Sequence, residues 1–293
     1  MSALQRGIIL IQSCYLRLIV LCRISDVRFV IRNFLAVFYK KFYLCVMYNY
    51  QEYCPDARLA SLVENYWTST NFTDGNIPKV FPDGCADIIF ILDRAKGTAY
   101  GGIFGTMTTF VEVRFPESVQ MFGIRFKPAG ITAFTRVPME EFTDTSVDLA
   151  LVETLFTKSY CETVAEKQSM AEIAAYTNSY LINLLPCLYR PDMQIIRAVD
   201  LINHAKGQLS LANLAADVCL CQRHFERKFK SALGVSPKMF AKINKFKHTI
   251  RRLQNHPHKD LLTIAVECGY YDHAHLIKDF KTFSGDAPTD FRR

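Results

Sequence analysis

The C-terminal third of the chain repeats itself. The stretch LANLAADVCLCQRHFERKFKSALGVSPKMF, from Leu211, overlies LLTIAVECGYYDHAHLIKDFKTFSGDAPTDF, from Leu261. Leu214, Ala215 and Asp217 fall on Ile264, Ala265 and Glu267 at an offset of 50. Phe225, Phe229, Lys230, Gly234, Pro237 and Phe240 fall on Leu276, Phe280, Lys281, Gly285, Pro288 and Phe291 at an offset of 51. One unit is used twice, with one residue added in the second unit's turn.

Each copy reads as a short helix, a tight turn and a second helix. In the first, Ser210 is the expected N-cap, Leu211, Leu214, Ala215 and Val218 form an i, i+3, i+4, i+7 stripe, and the second helix stops at Gly234. In the second, Asp260 caps the first helix, Gly269 ends it and Asp272 caps its successor. This is the pattern of helix-turn-helix units, whose second helix can enter a DNA major groove. Between the copies, SPKMFAKINKFKHTIRRLQNHP has Ser236 as cap and Pro237 at the first helical position. Phe240, Ile243, Phe246 or Lys247, Ile250 and Leu253 lie along one face of this helix. Roughly 17 residues give a rod near 25 Å, fit to hold two recognition helices in successive major grooves about 34 Å apart. Upstream, DMQIIRAVDLINHAKG predicts a further amphipathic helix with Asp192 as cap and Gly207 as stop.

On the residues LANLAADV, HFERKFKSALGVSPKMF and IAVECGYYDHAHLIKDFKTFSGDAPTDFR, this third resembles the double helix-turn-helix domain of AraC-type (arabinose-regulator family) transcription factors. With Phe225 and Phe229 pointing inward, Gln222, Arg223, Glu226, Arg227 and Lys230 face solvent or DNA. The resemblance places base-edge contacts near Arg223, Glu226 and Arg227. Arg binds guanine with two prongs, Glu accepts from cytosine N4 and Gln pairs with adenine; Lys230 is expected on phosphate. On the second helix, Leu276 and Phe280 are inward, and the resemblance puts His273, Ala274, His275 and Lys278 at reading positions, with Lys281 beside them. Ala274 offers only apolar contact and Lys278 stands where Arg is commoner, so this unit should discriminate bases less sharply. Lys242, Lys245, Lys247, Arg251 and Arg252 on the connecting helix are expected to add nonspecific attraction, or simply to be solvated.

The cluster Cys219, Cys221 and His224 admits a second reading as a soft metal site. It would need the short turn to converge all three and a fourth ligand besides, and the repeat assigns the same residues to a turn, a cap and a helix. No metal or cofactor is expected.

Charge supports a division of labour. Residues 1–46 carry 7 Lys/Arg against 1 acid, residues 47–190 carry 11 against 17, and residues 191–293 carry 17 against 10. A basic end beside an acidic middle indicates a polyanion partner for one domain and another task for the other. Ten cysteines at scattered spacing resemble no disulfide framework and read as reduced thiols in a cytoplasmic protein. All seven histidines lie at or after His204, so the middle segment has no multi-histidine metal centre. Residues 1–46 are apolar but interrupted by Arg17, Arg23, Arg28 and Arg32, short of the roughly 18 uncharged residues of a membrane span. They read as an interfacial anchor, a poorly packed extension, or sequence upstream of a true start at Met47.

In the middle, short alternating runs separated by Gly, Pro, Asn and Asp predict strands at Val80–Phe81, Ile88–Leu92, Thr109–Phe115 and Met121–Phe126, in a small sandwich or barrel. From about residue 147 the pattern turns helical, through SVDLALVETLF and SMAEIAAYTNSYLINLL. VENYW, FPDGCADIIF, GIRFKPAGITAF and VPMEEFTDTSVDL resemble the N-terminal domain of unknown function that accompanies one branch of AraC-type regulators, implying regulation or dimer formation. Asp83, Cys85 and Asp87 in PDGCAD are candidates to line a ligand site, against a plain turn-plus-strand reading. Arg125 and Lys127 are candidates to attract an anionic effector, against a solvated strand face. Glu140, Glu141 and Asp144 form an acidic loop without His or Cys companions.

The expected fold is α+β: a 47–187 β-rich sensing domain with C-terminal helices, then an all-α double helix-turn-helix over 191–293. The expected function is sequence-specific binding of double-stranded DNA to regulate transcription, tuned by an unidentified small-molecule signal. A homodimer is expected to bind paired sites, with RNA polymerase as partner if the protein activates. The alternatives are a DNA repair or modifying enzyme delivering a catalytic cysteine such as Cys85 or Cys161, and an architectural binder without a signal.

Overall fold

The computed structural model describes residues 50–70, 79–94, 96–112, 119–152 and 156–292, all within one compact unit, Ala36–Arg293. The 1–46 extension lies outside the described residues. No helix among the described residues is long and apolar enough to cross a membrane.

The first half builds an antiparallel sheet in the order β1(Gln51–Tyr53), β2(Val63–Ser69), β7(Gln120–Phe126), β4(Ala86–Asp93), β5(Thr98–Phe104), β8(Ser146–Asp148). A two-stranded ribbon pairs β3(Lys79–Val80) with β6(Val111–Glu112). The sheet follows from period-two alternation. Ile88, Phe90 and Leu92 of β4 and Phe122, Ile124 and Phe126 of β7 face one core. Asp87, Ile89, Met121, Gly123 and Arg125 take the opposite face. Indole packing fixes one position on that face: a Cβ on Gly123 would sit 2.0 Å from Trp67 Cε2.

The structure departs from the sequence expectation at two places. Of the strand expected over Thr109–Phe115, Thr109 and Phe110 are loop, only Val111–Glu112 is strand, and residues 113–115 lie outside the described residues. The second place lies after residue 146. SVDLALVETLF was expected as helix, but Ser146–Asp148 completes the sheet by pairing with Gly102–Phe104, and Leu149–Leu151 is one 3-10 turn. The sheet edge supplies partners that a short apolar run cannot announce by itself. Helices begin at α1(Lys158–Glu166) and α2(Met170–Leu184). Tyr160, Tyr176 and Tyr180 from these helices join Phe90 and Phe156 in an aromatic cluster over the sheet.

The C-terminal half is helical: α3(Met193–His204), α4(Leu211–Asp217), α5(Gln222–Leu233), α6(Pro237–Asn255), α7(Leu261–Glu267) and α8(His273–Ser284). Two cores form here. One joins Ile195 and Ile202 of α3 with Leu214, Phe225, Phe229 and Phe240. The other joins Phe246 and Ile250 with Ile264, Leu276, Phe280 and Phe291. The single helix α6 contributes to both, because its apolar face runs from Phe240 to Leu253.

Candidate nucleic-acid interface

Local signals explain where the two second helices begin and end. Asp272 accepts from His275 N at 2.7 Å and starts α8; Gly285, at φ 74, ends it. The corresponding α5 ends at Gly234, at φ 84, but its N-cap is Cys221, which makes no side-chain cap hydrogen bond. Cys219, which aligns with Gly269, holds φ 56, a left-handed conformation that disfavours any residue with a Cβ. Cys219 and Cys221 are exposed thiols, and among the described residues no three His, Cys, Asp or Glu side chains are grouped to hold a metal.

Phe225, Phe229 and Leu233 are buried, leaving Gln222, Arg223, Glu226, Arg227 and Lys230 exposed on α5. Gln222 Nε2 donates to Glu226 Oε1 at 3.1 Å, so these two reading candidates hold each other one turn apart. Lys228, on the flank, is engaged by Asp192 at 2.6 Å and ties α5 to α3. Lys230 is engaged too, by Glu140. On α8, His273, Ala274, His275, Lys278 and Lys281 are exposed, and an open groove is lined by His273, Ala274, Ile277, Lys278, Lys281 and Thr282. The ring of His275 packs edge-on against Tyr270.

Four cations of α6 meet partners within the protein. Lys242 reaches Asp279 at 3.2 Å, Lys245 donates to Gly269 O at 2.9 Å, and Arg252 pairs with Glu267. Lys247 Nζ donates to Asp83 O at 2.9 Å, where burial pushes its ammonium below the usual lysine range. Helical periodicity marks these side chains as lying on or beside one face but not which neighbour they meet, so the sequence leaves nonspecific attraction or plain solvation as the expectation.

The ligand candidates separate into three places. Asp83 pairs with Arg125 and accepts from Cys85 N at 2.9 Å; Arg125 and Cys85 also reach Glu64, each at 3.6 Å. Cys85 and Arg125 are each 3% exposed, while the Asp83 and Glu64 side chains are partly open to solvent. Asp87 stands apart, accepting from Trp67 Nε1 at 2.8 Å; its second oxygen has no partner among the described residues, and burial pushes its carboxyl well above the usual range. Lys127 lies just beyond the end of β7 and is exposed, whereas Arg125 is buried. The two thiols considered as nucleophiles are poorly suited: Cys85 is buried, and burial pushes the Cys161 thiol up, opposite to an activated cysteine.

What sequence reading missed is a seam between the two halves. Phe81 stacks edge-on with Phe246 and meets Phe291. Gly84, at φ 83, lets the Phe240 ring approach so closely that a Cβ would sit 2.4 Å from it. Lys79 pairs with Asp286 at 2.5 Å. Thr143 Oγ1 donates to Gly234 O at 2.8 Å. The PDG turn, read as a ligand loop or a plain turn, docks on α6. The one available sequence signal is the Phe-Pro-Asp-Gly run itself, an aromatic beside a turn glycine.

Residues 214–293 match a family described as a helix-turn-helix domain, and residues 51–148 a family described as a domain of unknown function (DUF6597). No curated protein matches the chain. Among solved structures, ToxT of Vibrio cholerae is similar at low identity. An apo variant shares 10% identity over 78% of this chain and 96% of its own, with a TM-score of 0.41. Another ToxT crystal form shares 8% over 83% and 97%, with a TM-score of 0.41. ToxT bound to (E)-4-(8-methylnaphthalen-1-yl)but-3-enoic acid shares 9% over 78% and 98%, with a TM-score of 0.42.

Proposed function

We propose that this chain, whose C-terminal region is an AraC-type helix-turn-helix, is a sequence-specific transcription regulator that reads double-stranded DNA with α5 and α8. The observation that carries the reading is the repeat: two second helices, each with one apolar face buried and the other exposing basic and polar groups, joined by one 19-residue helix. At about 1.5 Å per residue that helix is roughly 28 Å long, close to the 34 Å between successive major grooves. Arg223, Glu226 and Arg227 read base edges in one groove; His273, Ala274, His275 and Lys278 read the next more loosely. Phosphate neutralisation supplies the sequence-independent part of affinity.

The sheet-bearing half modulates this output. Its cluster of Glu64, Asp83, Cys85 and Arg125 reaches the connecting helix through the Asp83 carbonyl and Lys247. A small-molecule signal that binds one arrangement of the cluster better than another shifts how the reading helices are presented. Homodimers on paired sites, and RNA polymerase as partner if the protein activates, complete the proposal.

Selection from random DNA tests it, with the full chain at physiological salt. Enrichment of a bipartite motif is expected. Binding without any sequence preference overturns the reading.

A further inference from the structure

The loop 105–110 leaves β5 and touches the C-terminal ends of both reading helices. Thr106 Oγ1 donates to Leu233 O at 2.6 Å, on the last residue of α5. Three residues on, Thr109 Oγ1 donates to Thr282 O at 2.8 Å, in the last turn of α8. Both acceptors belong to the final carbonyls that a helix leaves without partners of its own. Three residues of chain reach at most about 10 Å, so one short span ties the two helix ends.

That span is braced. Gly105 lies so close to the 139–142 turn that a Cβ would sit 2.3 Å from Phe142 O. Asp144 accepts from both the backbone N–H and the hydroxyl of Thr108, at 2.6 Å each. Phe110 packs on Gly285 just past α8 beneath the Lys79 ammonium, 5.0 Å from its ring centre. The covalent route between the helices is longer: α5 joins α6 through residues 234–236, and α6 joins α7 through residues 256–260.

We infer that Thr106 and Thr109 are positioning residues for DNA recognition, holding α5 and α8 at one separation and so setting the half-site spacing that the protein accepts. The inference rests on the DNA-reading function proposed above. Each reading helix has 12 residues, a lever of about 18 Å whose groove-facing side chains start at the end opposite the tie. Adding one base pair shifts a half-site by about 3.4 Å along the duplex and turns it by roughly a tenth of a revolution. Units joined through α6 alone can follow that displacement by flexing where the chain enters and leaves it. A braced loop bonded to both helix ends resists it.

The test is a spacing series. The site selected by the wild-type full chain is titrated as selected, and with one and two base pairs inserted between its halves. The proteins are wild type, Thr106→Val/Thr109→Val, Thr106→Ser/Thr109→Ser, and Asp144→Ala, which unbraces the loop without touching either helix. Wild type and the serine pair should lose about tenfold or more on the first insertion, and the valine pair less than about threefold, with base preference inside each half-site unchanged. Asp144→Ala should fall between them, and against wild type it decides the matter alone if the valine pair does not fold. Insertion penalties equal to wild type in the variants overturn the inference while DNA reading stands. A wild-type chain without sequence preference overturns both.

Discussion

Lys230 on the first reading helix directs its ammonium to Glu140 on the sheet-bearing half, Nζ to Oε2 at 2.9 Å. A cation expected on phosphate is held by a carboxylate that carries the same charge as phosphate. Both side chains are substantially exposed, so the pair itself adds little to stability, about 0–1 kcal/mol for exposed pairs in general. On the proposed function its consequence lies in binding, with Glu140 competing with DNA for Lys230 and repelling the phosphate backbone.

Glu140→Gln should therefore tighten binding to every sequence by about two- to fivefold at low salt, with base preference unchanged. Lys230→Ala should flatten the plot of log affinity against log salt by about one unit. Titrations at four salt concentrations measure both. A changed base preference in Lys230→Ala would make that residue a reader rather than a phosphate contact.

Arg227 lies opposite the buried face of α5 and is exposed. Arg227→Ala should cost about 1–3 kcal/mol on the preferred site and relax the preference at one base pair. Binding measured over all single-base variants of the site checks this, and equal weakening on every sequence would assign Arg227 to phosphate.

The two units differ in their caps. Asp272 caps α8 with a hydrogen bond to His275 N, whereas Cys221 caps α5 with none. Cys221→Ser should stabilise the protein by about 0.5–1 kcal/mol and Asp272→Ala should destabilise it by about 1 kcal/mol. Denaturant titration gives both values. Loss of folding or of bound zinc on Cys221→Ser would restore the metal reading of the cluster.

Gly84 combines a left-handed backbone with direct contact to the Phe240 ring. Gly84→Ala should destabilise by about 2 kcal/mol or more, from backbone strain and overpacking together. An unchanged melting temperature would mean that the ring moves aside freely.

Asp87 is fully buried, and burial raises its carboxyl well above the usual range. Between about pH 4, where a carboxylate ordinarily titrates, and the raised folded value, the native state holds a proton that the unfolded chain releases. This contribution to stability is complete below the unfolded value and is lost as pH rises toward the folded one. Asp87→Asn, a mimic of the protonated acid, should match wild type in acid and gain on it steadily above about pH 4. A stability difference independent of pH would show that the carboxyl titrates normally.

The helical half was legible because its signals are local. Of the expected caps, Asp192, Ser236, Asp260 and Asp272 accept backbone hydrogen bonds, while Ser210 stands at its N-cap without a side-chain bond, and Gly207, Gly234, Gly269 and Gly285 all take positive φ. Alternation likewise marked β4 and β7 and the face on which their apolar side chains lie. It did not mark β8, whose three residues are strand only because Gly102–Phe104 lies beside them. Nor did it mark the roles of Lys247, Glu140 and Thr109, each of which meets a partner more than 80 residues away.

Local pattern alone sets the repeated helical units, the exposed polar faces of their second helices and the acidic, strand-rich character of the middle. Those depend on residues within one or two turns of one another, where backbone geometry is the same in any context. Packing of the two halves sets the rest: Asp83 and Gly84 dock on the connecting helix, Lys230 is shared with Glu140, and Thr106 and Thr109 bridge α5 and α8. A hydroxyl, an ammonium or a turn carries no local record of which distant carbonyl or ring will fill its last contact. That choice is made when two independently patterned halves pack and their remaining polar groups must find partners in the seam.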